Sequence, residues 1–218
     1  MNFSLSQFRR EYDTELFPVK IEGRELNFLR PRSIDRFINQ DNPIEGFPLW
    51  AKFWEASAVL THFMAELPVD PQRRILELGS GLGIAGITAA VLGHTITLTE
   101  YNQDALNFLR ANASLNGCDH AAVRPLDWFQ PQLEGQFDLI IGSEIIYQEA
   151  AVQALEALFQ KYLARDGRVV LAERVRATGT LFFQRLSDHF NIRAKKHTLS
   201  SAGEKETVIL FDMTPKSQ

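Results

Sequence analysis

The chain has 218 residues, 45% of them hydrophobic, which is enough to bury the core of a single α/β domain. Its formal net charge is −4, and Lys and Arg never occur in runs longer than pairs, which argues against a nucleic-acid backbone as a partner. The one cysteine excludes an internal disulfide, and we expect neither a metal site nor a membrane segment. These features predict a soluble cytoplasmic protein and leave its oligomeric state open.

Predicted strands and helices alternate along most of the chain. A hairpin is predicted over residues 18–29, within an N-terminal extension of residues 1–47, and a helix follows at 54–67. Further strands are predicted at 75–78, 95–99, 122–124, 137–141, 168–172, 192–197 and 207–213, and further helices at 84–92, 104–115, 150–163 and 179–190.

The last two predicted strands are separated by a short polar loop, with no helix between them. They are expected to pair antiparallel, because a parallel pair needs a long crossover connection. The predicted fold of residues 48–218 is therefore α/β and Rossmann-like. Its seven-stranded, mostly parallel sheet is expected to carry helices on both faces and an antiparallel last strand at its far edge.

Three glycines at alternate positions, Gly79, Gly81 and Gly83, follow the predicted strand at 75–78 and precede a helix. Glycine has no Cβ and tolerates positive φ, so the backbone here can approach a ligand beside the free N–H groups of a helix N-terminus. Glu100 ends the next predicted strand, where an acid can accept hydrogen bonds from both hydroxyls of a ribose. The turn therefore predicts a cofactor that contains an adenosine-type ribose.

Two classes of cofactor contain such a ribose, and the position of the glycines separates them. Residues 81–86 satisfy the dinucleotide pattern literally, but the first glycine after the strand is Gly79, and the matching third position is Ile84. Glu77, a carboxylate at the strand end, would also repel a pyrophosphate and attract a cation. These features favour S-adenosylmethionine, which carries an ammonium and a sulfonium. A nicotinamide-dependent oxidoreductase stays the less favoured alternative.

The order of the strands, the turn at residues 77–83 and the acid Glu100 resemble the class I, seven-strand S-adenosylmethionine-dependent methyltransferases over residues 48–213. Four further segments resemble the methyltransferase-16 group of protein-lysine methyltransferases: residues 53–57, 126–128, 142–147 and 172–176. Residues 48–51 also resemble the related branch that modifies lysines of an electron-transfer flavoprotein subunit, so the subfamily stays open. The resemblance implies an S-adenosylmethionine-dependent N-methyltransferase.

The resemblance also implies roles for individual residues. In that group an acid, followed three positions later by an aromatic residue, borders the substrate channel; here these are Glu144 and Tyr147, the expected catalytic residues. Many members carry aspartate at the position of Glu144. Arg174 has a counterpart in the group but no expected role. The expected cofactor-binding residues are Trp54, Glu77, Gly79, Ser80, Gly81, Gly83, Glu100, Tyr101, Asp127, Trp128 and Ser143.

Methyl transfer is an in-line displacement at the sulfonium carbon, so a lysine amine must lose its proton before it attacks. Glu144 is expected to position that amine by accepting one of its N–H groups, and Tyr147 to form a wall of the narrow channel. A nearby carboxylate raises the pKa of an amine and so opposes its deprotonation. For that reason we assign positioning to Glu144, and not proton removal.

The residues after the fourth predicted strand also indicate the substrate class. Methyltransferases that act on amino groups of adenine, cytosine or glutamine usually carry Asn or Asp, two prolines and an aromatic residue there. This chain has Ser-Glu-Ile-Ile-Tyr at residues 143–147 instead. Together with the acidic net charge, this predicts an aliphatic amine, first of all a lysine side chain of a protein. A small-molecule amine and a non-catalytic S-adenosylmethionine-binding interaction module are the alternatives.

Overall fold

The computed structural model describes residues 3–41, 47–146, 149–201 and 204–216 of the chain. Two elements precede the main sheet: a helix, α1 (Leu5–Glu11), and an antiparallel hairpin of strands β1 (Thr14–Ile21) and β2 (Arg24–Pro31). The predicted hairpin is thereby confirmed and extends beyond both predicted bounds. Helix α1 was not predicted.

Strands and helices alternate through the rest of the chain, as predicted. Their bounds are α2 (Glu55–Glu66), β3 (Arg74–Leu78), α3 (Ile84–Val91), β4 (Thr95–Glu100), α4 (Gln103–Leu115), β5 (Ala122–Pro125), β6 (Phe137–Ser143), α5 (Glu149–Tyr162), β7 (Leu163–Arg174), α6 (Ala177–Leu186), β8 (Phe190–Ser201) and β9 (Glu204–Pro215). Each predicted strand and helix is present, with its ends shifted by a few residues.

Strands β3 to β9 form one sheet in the order β5-β4-β3-β6-β7-β9-β8. Strands β3 to β7 pair in parallel, and β9 runs antiparallel to both β7 and β8. The mostly parallel sheet is confirmed, and its reversed strand is the last in the chain, as predicted. Its expected place at the edge is wrong, because β9 lies one position inside. Strand β9 carries the buried Val208, Leu210 and Met213, whereas β8 carries exposed Arg193 and Lys195, which tolerate an edge.

Side chains on the central strands alternate between two buried clusters, one on each face of the sheet. Ile75 of β3 and Ile141 of β6 lie in a cluster with residues of α2, α3 and α4. Leu76 and Ile140 lie in a second cluster with residues of α5 and α6. The predicted helices on both faces are therefore confirmed, and they fix the strands whose carboxyl ends meet at one edge of the sheet.

The N-terminal elements share the core of the main fold. Phe8 and Tyr12 pack on Phe108 of α4, with ring centroids 4.9 and 5.1 Å from that ring. Asn112, fully buried on α4, accepts the N–H of Leu29 at 2.6 Å and donates to the carbonyls of Leu29 at 3.1 Å and Leu82 at 2.9 Å. Asn112 thereby ties the hairpin to the loop after β3. The division at residue 47 stays a prediction.

Replacing Asn112 by Ala is expected to lower the free energy of unfolding by about 2–4 kcal/mol, because buried backbone groups lose their partners. Urea unfolding followed by circular dichroism measures this change. Asn191→Ala, at an exposed position of edge strand β8, is the control and is expected to change the free energy by less than about 0.5 kcal/mol. Equal losses in the two variants would contradict the anchoring role of Asn112.

Candidate functional site

A cavity of about 520 Å³ lies at the carboxyl ends of β3, β4 and β6. Strand β3 stands between β4 and β6, so the strand order reverses there, and ligands of open α/β sheets bind at such a reversal. Gly83 is not part of the lining, and Tyr147 falls outside the described residues. The predicted site residues that line the cavity are Trp54, Glu77, Gly79, Ser80, Gly81, Glu100, Tyr101, Asp127, Trp128, Ser143 and Glu144.

The glycine turn has a backbone that other residues rarely adopt. Gly79, Gly81 and Gly83 have φ angles of 60°, 53° and 86°. A Cβ on Gly79 would lie 3.1 Å from the side chain of Ile145, whereas a Cβ on Gly83 would overlap Leu109 of α4. Gly79 therefore leaves room at the cavity wall. Gly83, although predicted to contact the cofactor, allows α3 to pack against α4.

Glu100 ties the end of β4 to the glycine turn. Its Oε2 accepts the N–H of Gly81 at 3.0 Å, and its Oε1 accepts those of Tyr101 at 2.7 Å and Asn102 at 3.2 Å. Burial raises the pKa of Glu100, and these three N–H groups act in the opposite direction. The carboxylate is thus fixed at the cavity wall, with lone pairs left for further donors such as hydroxyl groups.

Glu77, at the end of β3, lies at the floor of the cavity and is 3% exposed. Its Oε2 has no hydrogen-bond partner among the described residues. Burial raises the pKa of Glu77 to about 7; the nearby Ser80 side chain and Gly86 N–H oppose this, and the charge of Glu100 adds to it. A buried carboxylate is costly unless a cation joins it, so the predicted role of Glu77 as the partner of the S-adenosylmethionine ammonium would meet that need and stays a prediction.

Two tryptophans form walls of the cavity. Trp54, directly before α2, donates its indole N–H to the carbonyl of Leu49 at 2.8 Å. Trp128 follows β5, and its ring would lie 3.5 Å from a Cβ on Gly79, so it closes on the glycine turn. Both rings present apolar surface of the kind that covers a cofactor.

The loop ends around the cavity hold three further predicted residues. Asp127 accepts the N–H of Phe129 at 2.9 Å, which fixes the loop after β5. Tyr101 follows β4 and is 73% exposed at the cavity mouth, and Ser143 ends β6. The cavity therefore extends from the end of β5 to the end of β6.

Glu144, directly after β6, binds two arginines: Arg174 at the end of β7 and Arg176 just beyond it. Its Oε1 accepts the backbone N–H of Arg174 at 2.8 Å and the Nε–H at 3.3 Å, and its Oε2 pairs with Nη2 of Arg176. The Glu144 side chain is 8% exposed. Both carboxylate oxygens therefore already accept hydrogen bonds from arginines. A substrate amine held by Glu144 would share these oxygens with the arginines.

The backbone of Glu144 is strained, with a φ of 53° that a residue with a Cβ rarely adopts. Its N–H donates to the carbonyl of Ala172 at 3.0 Å, which helps to fix this conformation. Strained residues of this kind concentrate at functional sites. The strained backbone therefore keeps Glu144 a candidate functional residue. Its two arginine partners were not predicted from the sequence.

Glu173 lies under the loop that begins at Glu144. It is 3% exposed, and its Oε1 accepts the N–H of Ile145 at 2.8 Å. Burial and, less strongly, the charge of Glu144 raise the pKa of Glu173 to about 8, against the opposing effect of the Ile145 and Ile146 N–H groups and the Arg176 charge. The Glu173 carboxyl therefore keeps its proton to a higher pH than an ordinary glutamate does.

Arg176, Glu173 and Lys52 were not predicted to belong to this site. Arg176 and Glu173 come within four residues after the predicted strand at 168–172. Because the carboxyl ends of adjacent parallel strands meet at one edge of the sheet, the position of both residues could have been predicted. Lys52 lines the cavity with its Nζ 5.6 Å from the ring of Trp54, and no motif indicated this. Arg174, which had no expected role, lies with its guanidinium 4.8 Å from the same ring.

Neither a membrane-spanning helix nor a metal-binding group is found within the described ranges. No helix there is long and apolar enough to cross a membrane. No group of three or more His, Cys, Asp and Glu side chains there is placed to hold a metal ion.

A solved structure has the same fold. The ribosomal protein L11 methylase of Lactobacillus delbrueckii subsp. bulgaricus superposes with a TM-score of 0.56, covering 74% of this chain and 77% of that one at 21% identity. At this identity the likeness shows the fold alone. That fold is the Rossmann-like fold of the class I methyltransferases, as predicted.

Residues 46–189 match the family model described as lysine methyltransferase, Methyltransf_16. The protein N-lysine methyltransferase METTL21A of Danio rerio is 38% identical over 136 residues, which cover 58% of this chain and 61% of that protein. Its namesake from Mus musculus is 32% identical over 159 residues, which cover 69% of each. The chain belongs to this lysine methyltransferase family, so the predicted family and its cofactor, S-adenosylmethionine, are confirmed.

Replacing Glu77 by Gln is expected to stabilise the cofactor-free protein at high pH. The folded protein holds the Glu77 proton up to a pKa of about 7, against 4.5 for an ordinary glutamate, so ionisation of Glu77 destabilises the fold as pH rises through that window. In Glu77→Gln we expect the free energy of unfolding to rise by up to about 3 kcal/mol at about pH 8 and to change little at about pH 4. Urea unfolding at both pH values measures the difference.

The same variant is expected to bind S-adenosylmethionine at least about tenfold more weakly, because the ammonium loses its buried anion. Quenching of tryptophan fluorescence measures this affinity. Glu134→Gln, an exposed change away from the cavity, is the matched control for both experiments. If the Glu77→Gln protein binds the cofactor as tightly as the wild type, Glu77 does not contact the ammonium.

Proposed function

We propose that this protein transfers a methyl group from S-adenosylmethionine to a lysine side chain of another protein. The proposal rests above all on the buried Glu77 carboxylate, whose Oε2 has no partner among the described residues, at the floor of a large cavity in a lysine methyltransferase family member. The relatives are named protein N-lysine methyltransferases, which supports a protein lysine as the substrate.

Residues at the ends of β3 and β4 would hold the cofactor. Glu77 supplies the anion for the ammonium, and Glu100, fixed by backbone N–H groups, accepts the ribose hydroxyls. Gly79 leaves room for close approach, and Trp54 and Trp128 cover the ligand. The bound cofactor supplies a methyl group on a sulfonium, which a neutral amine displaces in line.

The opposite end of the cavity, at β6 and β7, is left for the substrate. Glu144 and Arg176 line this end. The Arg174 guanidinium lies against the ring of Trp54, which also lines the cavity. The protein gains rate there by aligning the amine and by excluding water. The roles of Glu144 in positioning the amine and of Tyr147 in walling the channel stay predictions.

A protein is the proposed partner because the relatives carry names of enzymes that act on proteins. The exclusion of nucleic acid and membranes as partners stays a prediction from the sequence, and so does the cytoplasmic location. A small-molecule amine and a non-catalytic cofactor-binding module remain the alternatives that an activity test separates.

Incubation of the pure protein with methyl-labelled S-adenosylmethionine and a lysate of its source organism is expected to label a discrete, protease-sensitive band. Acid hydrolysis of that band is expected to release methylated lysine. Label in small molecules alone would favour the small-molecule alternative. Cofactor binding without any labelled product would favour the non-catalytic module. Glu77→Gln is the test variant and is expected to label the band more weakly at low cofactor concentration, whereas the control Glu134→Gln is expected to label it like the wild type.

A further inference from the structure

Two carboxyl groups at the ends of β6 and β7 each bind the backbone of the other strand end. Glu144, directly after β6, accepts the N–H of Arg174 with its Oε1 at 2.8 Å. Glu173, one residue before the end of β7, accepts the N–H of Ile145 with its Oε1, also at 2.8 Å. Each carboxyl group therefore binds the N–H of the residue that follows the other. We call these two contacts the reciprocal clamp.

The reciprocal clamp acts on a strained piece of backbone. Glu144 has a φ of 53°, and its N–H donates to the carbonyl of Ala172 at 3.0 Å. A residue with a Cβ keeps such a conformation only where the surrounding contacts enforce it. Ile145, the next residue, is 1% exposed, so its N–H is buried and needs an acceptor from the protein. Glu173 supplies that acceptor and thereby holds the backbone on the far side of the strained residue.

Ile145 connects the reciprocal clamp to the glycine turn. Its side chain lines the cavity, and its Cγ2 lies 3.1 Å from the place that a Cβ on Gly79 would take. Glu144 lines the same cavity. The backbone position of Ile145 therefore sets two features together: the wall of the cavity beside the glycine turn, and the direction in which the Glu144 carboxylate points.

Packing alone does not require a carboxyl group at position 173. Glu173 is 3% exposed and is not among the described residues that line the cavity, so it acts on a ligand only through its neighbours. The charge of Glu144 disfavours ionisation of Glu173, as expected of two carboxyl groups that lie close together. An apolar side chain of similar size would fill the same space without this cost. The contact that an apolar side chain could not replace is the hydrogen bond to Ile145.

We propose that Glu173 is a positioning residue for methyl transfer, which holds Glu144 and the Ile145 wall in place by binding the Ile145 N–H. The proposal rests on the proposed function, since it concerns the geometry of that reaction. In the reaction, the lone pair of a neutral amine forms the N–C bond while the C–S bond breaks, and the sulfur leaves as a neutral thioether. Glu173 takes no part in these bond changes. It keeps the wall that aligns them, and a misplacement of about 1 Å at such a wall lowers a rate by up to about 100-fold.

The test compares Glu173→Met, which removes both acceptor oxygens, with Glu173→Gln, which keeps one acceptor for the Ile145 N–H. The initial rate of label incorporation into the lysate band that the wild type labels is measured at saturating S-adenosylmethionine. The Met variant is expected to lose about tenfold or more in rate, and the Gln variant to stay within about threefold of the wild type. Cofactor affinity, measured by tryptophan fluorescence, is expected to hold in both, because Glu77 and Glu100 are unchanged. Glu134→Met, at an exposed position, is the control without an expected change.

Hydrogen exchange of the Ile145 amide tests the reciprocal clamp without any activity. In Glu173→Met this amide is expected to exchange at least about tenfold faster than in the wild type, because it has lost its acceptor. The amide of Ile141, inside β6, is expected to keep its exchange rate. Glu173→Ala also removes the acceptor oxygens, and it repeats both measurements without the bulk of a methionine.

Four results would overturn the inference. Equal losses of rate in Glu173→Gln and Glu173→Met would show that the acceptor oxygen is not what Glu173 supplies. Wild-type exchange of the Ile145 amide in Glu173→Met and Glu173→Ala would show that Glu173 does not hold this backbone. Wild-type rates in both of these variants would show that the reaction does not need the contact. These three results leave the proposed function intact, whereas absence of label with the wild type would overturn the proposed function and this inference with it.

Discussion

Two carboxylates at the ends of neighbouring strands, the buried Glu77 and the half-buried Glu100, impose the constraint on which the rest of this structure depends. Glu100 is compensated by three backbone N–H groups, because the loop after β4 and the glycine turn present them. Glu77 keeps Oε2 unpaired among the described residues, at a site from which water is largely excluded. The strands must therefore be rigid enough to hold the two carboxyl groups close together, and this proximity helps to raise the pKa of Glu77.

That rigidity comes from the turn and from the core on both faces of the sheet. The Thr99 hydroxyl donates to the carbonyl of Glu77 at 2.6 Å, and the N–H of Ser80 donates to the carbonyl of Thr99 at 2.9 Å. Farther along the chain, Asn112 binds the carbonyl of Leu82 and connects the same turn to the N-terminal hairpin. The hairpin thus supports the geometry of the site without lining the cofactor end.

The cavity is lined by carboxylates at the ends of β3 and β4, and by the ion pair of Glu144 and Arg176 at its other end. Carboxylates at β3 and β4 suit a cofactor that carries an ammonium and a sulfonium. At the other end Glu144 binds Arg174 and Arg176, so both of its carboxylate oxygens are held by arginines. Both sets of charged side chains belong to strand ends of the same sheet.

Features with a local cause could be predicted from the sequence. The strands and helices follow from apolar periodicity, and the position of Gly79 against Ile84 separates the methyltransferase turn from a dinucleotide turn. Features that depend on distant residues could not. Strand β9 lies inside the sheet because its side chains are more deeply buried than those of β8, and this difference appears only in the folded protein. Gly83 likewise packs against Leu109 of α4, a contact between residues far apart in the sequence. The arginines held by Glu144 lie about 30 positions further along the chain, so their pairing with Glu144 could not be predicted, although the meeting of the two strand ends could.

Calorimetry of S-adenosylmethionine binding at about pH 6, in two buffers that differ in ionisation enthalpy, counts the protons exchanged when the cation meets Glu77. With the pKa of Glu77 at about 7, the carboxyl is mostly protonated at that pH, and binding is predicted to release close to one proton per cofactor. The Glu77→Gln protein is predicted to release none. Binding of the cofactor to the wild type without proton release would contradict Glu77 as the partner of its ammonium.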